Sequence, residues 1–142
     1  MNETQLMLLE SADRVFSQSC TREVRESSAQ GVWPEALWRI VEDTGLALAA
    51  TTEARGGPGT TLGDAYSLIK QAGYHALPLP LAETFLAEQA LAAAGLPPCA
   101  GPLTAGPDVR GDCPRLSRHQ GKWRLNGTLR ITTGDNTSTR PA

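Results

Sequence analysis

The 142-residue chain has little of what marks membrane, secreted and metal-binding proteins. It has no apolar run near the roughly 18 residues that span a bilayer, and its first residues lack the basic and apolar regions of a secretion signal. Its three cysteines are far apart, which fits neither a disulfide framework nor a metal-ligand spacing. These absences predict a soluble, cytoplasmic protein without a membrane or metal partner.

Net charge is small too, at −2, which argues against a nucleic-acid partner. The total conceals an uneven distribution, because residues 1–107 carry 6 basic and 12 acidic side chains whereas residues 108–142 carry 7 and 3. Glycine and proline become dense between residues 95 and 114, too dense for a helix. A boundary is therefore predicted near residues 96–102, with helices before it and strand or loop after it.

Apolar periodicity predicts four helices before this boundary, over residues 2–31, 34–45, 61–73 and 80–95. Thr61 and Asp64 have the spacing of a capping box at the start of the third helix. The inward face of the fourth is predicted as Ala82, Phe85, Leu86, Gln89 and Ala93. All acidic residues of this part are expected on polar faces, caps or turns, where they are solvated.

Alternating apolar residues beyond the boundary predict a β-hairpin around an Asn126-Gly127 turn, with Trp123 and Leu125 before the turn and Ile131 after it. Two strands alone are marginal and leave open edges, so dimerisation or aggregation through residues 121–133 is expected. The predicted fold is mainly α: an up-and-down bundle of about four helices over 1–97, an incomplete antiparallel β segment over 98–133 and a disordered tail over 134–142.

A glycine-rich loop precedes the third helix, with Gly56, Gly57 and Gly59 following Glu53. Such a loop forms either a tight turn or an anion-binding site at a helix start. The turn is the favoured interpretation, because no Gly-Lys-Ser or Gly-Lys-Thr sequence supports a P-loop. Glu53 is expected to close the loop by accepting hydrogen bonds from its backbone N–H groups.

The order of motifs resembles the N-terminal region of acyl-CoA dehydrogenases over residues 3–131. The motifs are Trp33-Pro34-Glu35, the Glu53 to Gly59 loop, Pro78-Leu79-Pro80-Leu81-Ala82-Glu83 and Trp123-Arg124-Leu125-Asn126-Gly127-Thr128. The resemblance implies a helical domain followed by a β-barrel domain and a four-helix domain. It is strongest to a divergent bacterial branch associated with steroid or aromatic acyl side chains.

The resemblance implies FAD-dependent α,β-dehydrogenation of an acyl-CoA thioester to an enoyl-CoA. In the family, the catalytic carboxylate lies in the C-terminal domain, so no catalytic residue is assigned and the chain is expected to be inactive alone, without bound flavin. Two residues match flavin-contacting positions. Thr104 is what remains of the family's Thr-Glu-x-x-x-Gly-Ser-Asp loop, and Thr133 follows the Asn126-Gly127 step.

Other titratable residues are assigned structural roles. His75 lies at a helix end, where C-capping is favoured over catalysis, and His119 is expected in a basic loop without metal-ligand neighbours. A set of basic side chains is open to two interpretations, contact with CoA phosphates or a solvated strand face, and the second is favoured. These are Arg110, Arg115, Arg118, Lys122, Arg124 and Arg130.

Three interpretations of the whole chain remain. The favoured one is a truncated acyl-CoA dehydrogenase, which retains the helical domain and the first strands and contributes to the acyl-CoA and flavin pocket. The alternatives are a non-catalytic helical subunit that partners a full-length dehydrogenase, and an unrelated helical interaction domain. The expected partners are acyl-CoA in the complete enzyme, and further copies of the chain or a full-length dehydrogenase subunit.

Overall fold

The structure, a computed structural model, describes residues 3–104 and 114–127. Its elements are α1 (Glu3–Ser19), α2 (Arg22–Ala29), α3 (Glu35–Asp43), α4 (Leu62–Tyr74), α5 (Leu81–Ala93), β1 (Arg115–His119) and β2 (Lys122–Asn126). Two 3-10 turns, Leu46–Leu48 and Glu53–Arg55, connect α3 to α4. The prediction of a mainly α fold with an incomplete antiparallel β segment is confirmed.

The first predicted helix is divided in two at Cys20 and Thr21, so its continuation to residue 31 is wrong. The Thr21 hydroxyl accepts a hydrogen bond from the Val24 N–H and starts α2. In a continuous helix this N–H would bond to the Cys20 carbonyl, which instead accepts from Arg25 Nη1 at 3.0 Å. The buried Cys20 thiol donates to the carbonyl of His75, which ties the break to the end of α4.

Helix α4 begins at the predicted capping box. The Asp64 N–H donates to the Thr61 hydroxyl at 3.3 Å, and the Thr61 N–H donates to Asp64 Oδ2 at 2.8 Å. Asp64 is buried, contrary to the expectation for acidic residues, and its Oδ2 accepts hydrogen bonds from both the Thr61 N–H and the Thr61 hydroxyl.

Removing the capping hydroxyl is expected to weaken α4. Thr61→Ala should lower the free energy of unfolding by about 1 kcal/mol, because one N–H at the helix start loses its acceptor. Urea denaturation measures this loss. Ser67→Ala is the control, since the exposed Ser67 hydroxyl bonds within α4 to the Gly63 carbonyl and caps nothing. Equal losses in the two variants would contradict a capping role.

The core joins α1, α3, α4 and α5 with the turn after α3. Its largest buried side chains come from each of these parts: Phe16, Trp38, Val41, Leu46, Leu68, Leu81 and Phe85. The described part of the chain therefore closes a hydrophobic core without any contribution from the strands, whose ten residues are all exposed.

The described hairpin forms around a turn that was not predicted from the sequence, and the predicted hairpin around Asn126-Gly127 stays a prediction. Strand β2 pairs antiparallel with β1, which precedes it, through Gln120 and Gly121. These two residues have φ values of 50° and 78°, as a two-residue type I′ turn requires. His119 therefore ends a strand, and its placement in a loop was wrong. The predicted partner strand after Gly127 lies outside the described residues.

Candidate functional site

The backbone of the glycine-rich loop packs closely against Thr51, which precedes it in the chain. A Cβ built on Gly57 would lie 2.0 Å from the Thr51 carbonyl oxygen, so only glycine fits there. Gly59 has a φ of 69°, and the Glu53 side chain packs on it. This supports the tight-turn interpretation. The Glu53 carboxylate accepts none of the expected hydrogen bonds from loop N–H groups among the bonds of the described residues.

A buried ion pair connects this loop to α5. Glu88, on α5, is only 2% exposed, and its Oε2 lies 3.7 Å from Nη2 of Arg55, whose side chain is 19% exposed. Glu88 Oε1 accepts from the Cys99 N–H at 2.9 Å, and Arg55 Nη1 donates to the Leu96 carbonyl at 2.6 Å. The pair thus holds the segment that follows α5.

Thr84, one turn before Glu88, holds the same segment further along. The Leu103 N–H donates to its hydroxyl oxygen at 3.1 Å. The hydroxyl proton is shared between the Leu103 carbonyl at 3.2 Å and the Pro80 carbonyl at 2.8 Å. We call Arg55, Thr84 and Glu88 the latch, and residues 96–103 the exit segment.

The sequence-based face of α5 missed the latch. The buried positions are Leu81, Thr84, Phe85 and Glu88, whereas the predicted face included Leu86, which is exposed. Glu88 likewise contradicts the expectation that acidic residues are solvated. A signal was present, because 81, 84, 85 and 88 follow the spacing of one helix face, with two polar residues among apolar ones. Polar residues on such a face require partners when buried.

One of the two predicted flavin-contacting residues, Thr104, lies within the described residues. Thr104 is exposed and directly follows Leu103, the last latched residue. Thr133 lies outside the described residues, so its predicted role remains a prediction.

A second polar cluster connects α1 to the end of α4. His75, the C-cap residue of α4 as predicted, places Nε2 2.9 Å from Asp13 Oδ1, to which Gln71 Nε2 also donates at 3.0 Å. These hydrogen bonds, first from His75 and then from Gln71, hold the pKa of Asp13 below its usual value of 3.8. A carboxylate with a lowered pKa is a weaker base, so the cluster is a structural tie between helices.

The lowered pKa of Asp13 predicts a pH-dependent stability. The folded-state pKa lies below the unfolded one, so Asp13 contributes stability above about pH 4 that is lost as the pH falls through the folded value. Asp13→Asn should therefore be less stable than the wild type at about pH 5, and the gap should narrow by about pH 3. Urea midpoints at both values measure it. Asp43→Asn controls for loss of an exposed carboxylate, and a gap that widens on acidification would contradict the assignment.

The hairpin has two different faces, because directly paired residues share a face and successive pairs alternate. One face carries Leu116, Leu125, Trp123 and Arg118, whose guanidinium lies 5.7 Å from the centre of the Trp123 ring. The other carries Arg115, Ser117, His119, Lys122, Arg124 and Asn126. The basic residues proposed for CoA phosphates are thus divided between the faces, and Arg110 and Arg130 lie outside the described residues.

Two negative findings apply to residues 3–104 and 114–127. No group of three or more histidine, cysteine, aspartate and glutamate side chains there is arranged to hold a metal ion. No helix in the same ranges is long and apolar enough to cross a membrane.

Comparison with known proteins identifies the family. A model described as the acyl-CoA dehydrogenase N-terminal domain matches residues 2–97, so the chain belongs to the acyl-CoA dehydrogenase family and contains its N-terminal domain. It is similar to the acyl-CoA dehydrogenase IpdE2 of Mycobacterium tuberculosis, with 41% identity over 66 residues. That match covers 46% of this chain but 21% of the relative, about a fifth of its length. No solved structure matches the chain significantly.

Proposed function

We propose that the chain forms the N-terminal part of an FAD-dependent enzyme that dehydrogenates an acyl-CoA thioester to the enoyl-CoA. The membership of residues 2–97 in the acyl-CoA dehydrogenase family carries the proposal, and the relative named an acyl-CoA dehydrogenase supports it. When bound, FAD supplies the hydride acceptor for this reaction. The role of this chain is to provide one wall of the acyl-CoA and flavin pocket, and no described residue is proposed as the catalytic base.

Thr104 is the described residue whose chemistry fits a flavin contact. It is exposed, and a threonine hydroxyl both donates and accepts hydrogen bonds, which suits the polar edge of a flavin ring. Its neighbour Leu103 is bonded to Thr84 through both backbone groups, which gives Thr104 a fixed place on the bundle. Thr133 is proposed as a second contact on the family resemblance alone.

A hybrid enzyme tests the proposed function. The chain alone is expected to purify without stoichiometric flavin and without acyl-CoA oxidation. Substituting residues 1–104 for the matching region of the M. tuberculosis relative should give a protein with the visible absorbance of bound flavin and with acyl-CoA-dependent dye reduction. A hybrid that is folded by circular dichroism but contains no flavin would overturn the proposal.

The second candidate function, a helical subunit that partners a longer dehydrogenase chain, is favoured by the apolar face of the hairpin. Leu116, Trp123 and Leu125 are between 61% and 69% exposed on this face. Exposed apolar surface next to open strand edges is typical of a surface that another chain covers.

A charge on the apolar face is expected to disrupt such an assembly. Leu125→Asp should abolish co-purification with the dehydrogenase chain, because a carboxylate would be desolvated in the interface. Ser117→Asp, which places the same charge on the opposite face, should leave co-purification intact. Equal behaviour of the two variants in affinity purification would exclude the apolar face as the interface.

A further inference from the structure

The exit segment cannot provide hydrogen-bond partners for its own backbone N–H and carbonyl groups. Pro97, Pro98 and Pro102 have no N–H groups to give to a helix or sheet, and residues 96–103 contain no regular element. The remaining N–H and carbonyl groups need partners where the segment is covered. Side chains of the latch provide them at Leu96, Cys99 and Leu103.

The latch also determines the direction of the exit segment. Cys99 is held by Glu88 and Leu103 by Thr84, so the segment runs antiparallel to α5, back toward the start of this helix. The two helix positions are separated by about 6 Å along the axis, whereas four extended residues span about 13 Å. Gly101, with a φ of 90°, gives the segment a left-handed backbone position between these two contacts, and the reach of the Glu88 side chain covers part of the difference.

Leu103 is held most completely, since its N–H and its carbonyl both bond to Thr84 Oγ1. Two bonds to one atom fix the orientation of this peptide as well as its position. The next residue along the chain is Thr104.

We propose that Thr84 and Glu88, with Arg55, are positioning residues that place Thr104 for its contact with the flavin. The inference rests on the proposed function, because it gives the latch a purpose in the cofactor site. None of the three residues touches the flavin in this proposal, and each acts through the backbone of the exit segment.

Amide hydrogen exchange in the 15N-labelled full chain tests the latch itself. Thr84→Val removes the hydroxyl at nearly constant volume and should speed exchange at Leu103 about tenfold, because its N–H loses its acceptor. Thr84→Ser retains the hydroxyl and should restore the wild-type rate. Glu88→Met should speed exchange at Cys99 by a similar factor.

Thr44→Val is the matched control for Thr84→Val. The Thr44 hydroxyl bonds to the Ile40 carbonyl four residues back, as Thr84 does to Pro80, but it makes no contact with the exit segment. Exchange at Leu103 should be unchanged in this variant. Unchanged exchange in Thr84→Val, or acceleration spread evenly over the core, would overturn the latch.

A titration with FAD, followed by the amide resonance of Thr104, tests the positioning role. The resonance should shift in the wild type and in Thr84→Ser, and the shift should fall at least threefold in Thr84→Val. Equal shifts in Thr84→Val and the wild type would overturn the positioning role while leaving the flavin contact in place. No shift in the wild type would overturn the positioning role, a flavin-free folded hybrid would overturn the proposed function, and the exchange result would decide the latch in either case.

Discussion

Gly57→Ala is expected to destabilise the protein by about 3 kcal/mol or more, because the added methyl group would clash with backbone atoms. It would lie 2.0 Å from the Thr51 carbonyl oxygen and 2.5 Å from its carbonyl carbon. Both are backbone atoms, and the Gly57 N–H is itself bonded to the Thr52 carbonyl at 3.0 Å, so relief requires the whole turn to move. Urea denaturation monitored by circular dichroism measures the loss.

Gly73→Ala is the matched control for this prediction. Gly73 lies in α4, and a Cβ built there meets no atom within 4 Å. This variant should be as stable as the wild type or more stable by about 0.5–1 kcal/mol, because alanine favours the helix. Similar stability of Gly57→Ala and Gly73→Ala would show that the turn accommodates a side chain, and the steric interpretation would be wrong.

Glu88→Ala is expected to have the second large effect, a loss of about 3 kcal/mol in the free energy of unfolding. The substitution leaves the Arg55 guanidinium largely buried without its counter-charge, and it leaves the Cys99 N–H without an acceptor. It also opens a cavity on the buried face of α5. Denaturation in urea provides the measurement.

Removing both charges together separates electrostatics from packing. The double variant Arg55→Met with Glu88→Leu should recover more than half of the loss, because neither charge remains buried alone. If the double variant is as unstable as the sum of its single variants, Arg55 and Glu88 do not interact energetically. The Arg22–Glu26 pair is the control for an exposed ion pair, and its loss should cost less than about 1 kcal/mol.

Local signals in the sequence were sufficient for the family and for helices α3, α4 and α5. The capping box of α4 depends on two residues three apart, and the end of α3 depends on Gly45, whose φ is 73°. The division between α1 and α2 was missed because it depends on Arg25 and Cys20 bonding to the distant His75 carbonyl. A pattern of neighbouring residues cannot reveal a contact between residues that are 50 or more positions apart.

The latch was missed for the same reason. Thr84 and Glu88 are polar residue types that are usually exposed, and their hydrogen-bond partners Leu103 and Cys99 lie 19 and 11 residues further along the chain. The Gln120-Gly121 turn was missed because Asn126-Gly127 is the stronger turn signal. It pairs β1 with β2, with Leu116 opposite Leu125, and the predicted strand after Gly127 lies outside the described residues.

The latch contacts main-chain atoms of the exit segment at Leu96, Cys99 and Leu103. The path of this segment therefore depends on Thr84 and Glu88 of α5 and on Arg55, together with its own prolines and Gly101. Substitution of the exposed Cys99 side chain should change the path of the exit segment little. A change at Thr84 or Glu88 removes hydrogen bonds to the exit segment, so substitutions should be tolerated better at Cys99 than at these two positions of α5.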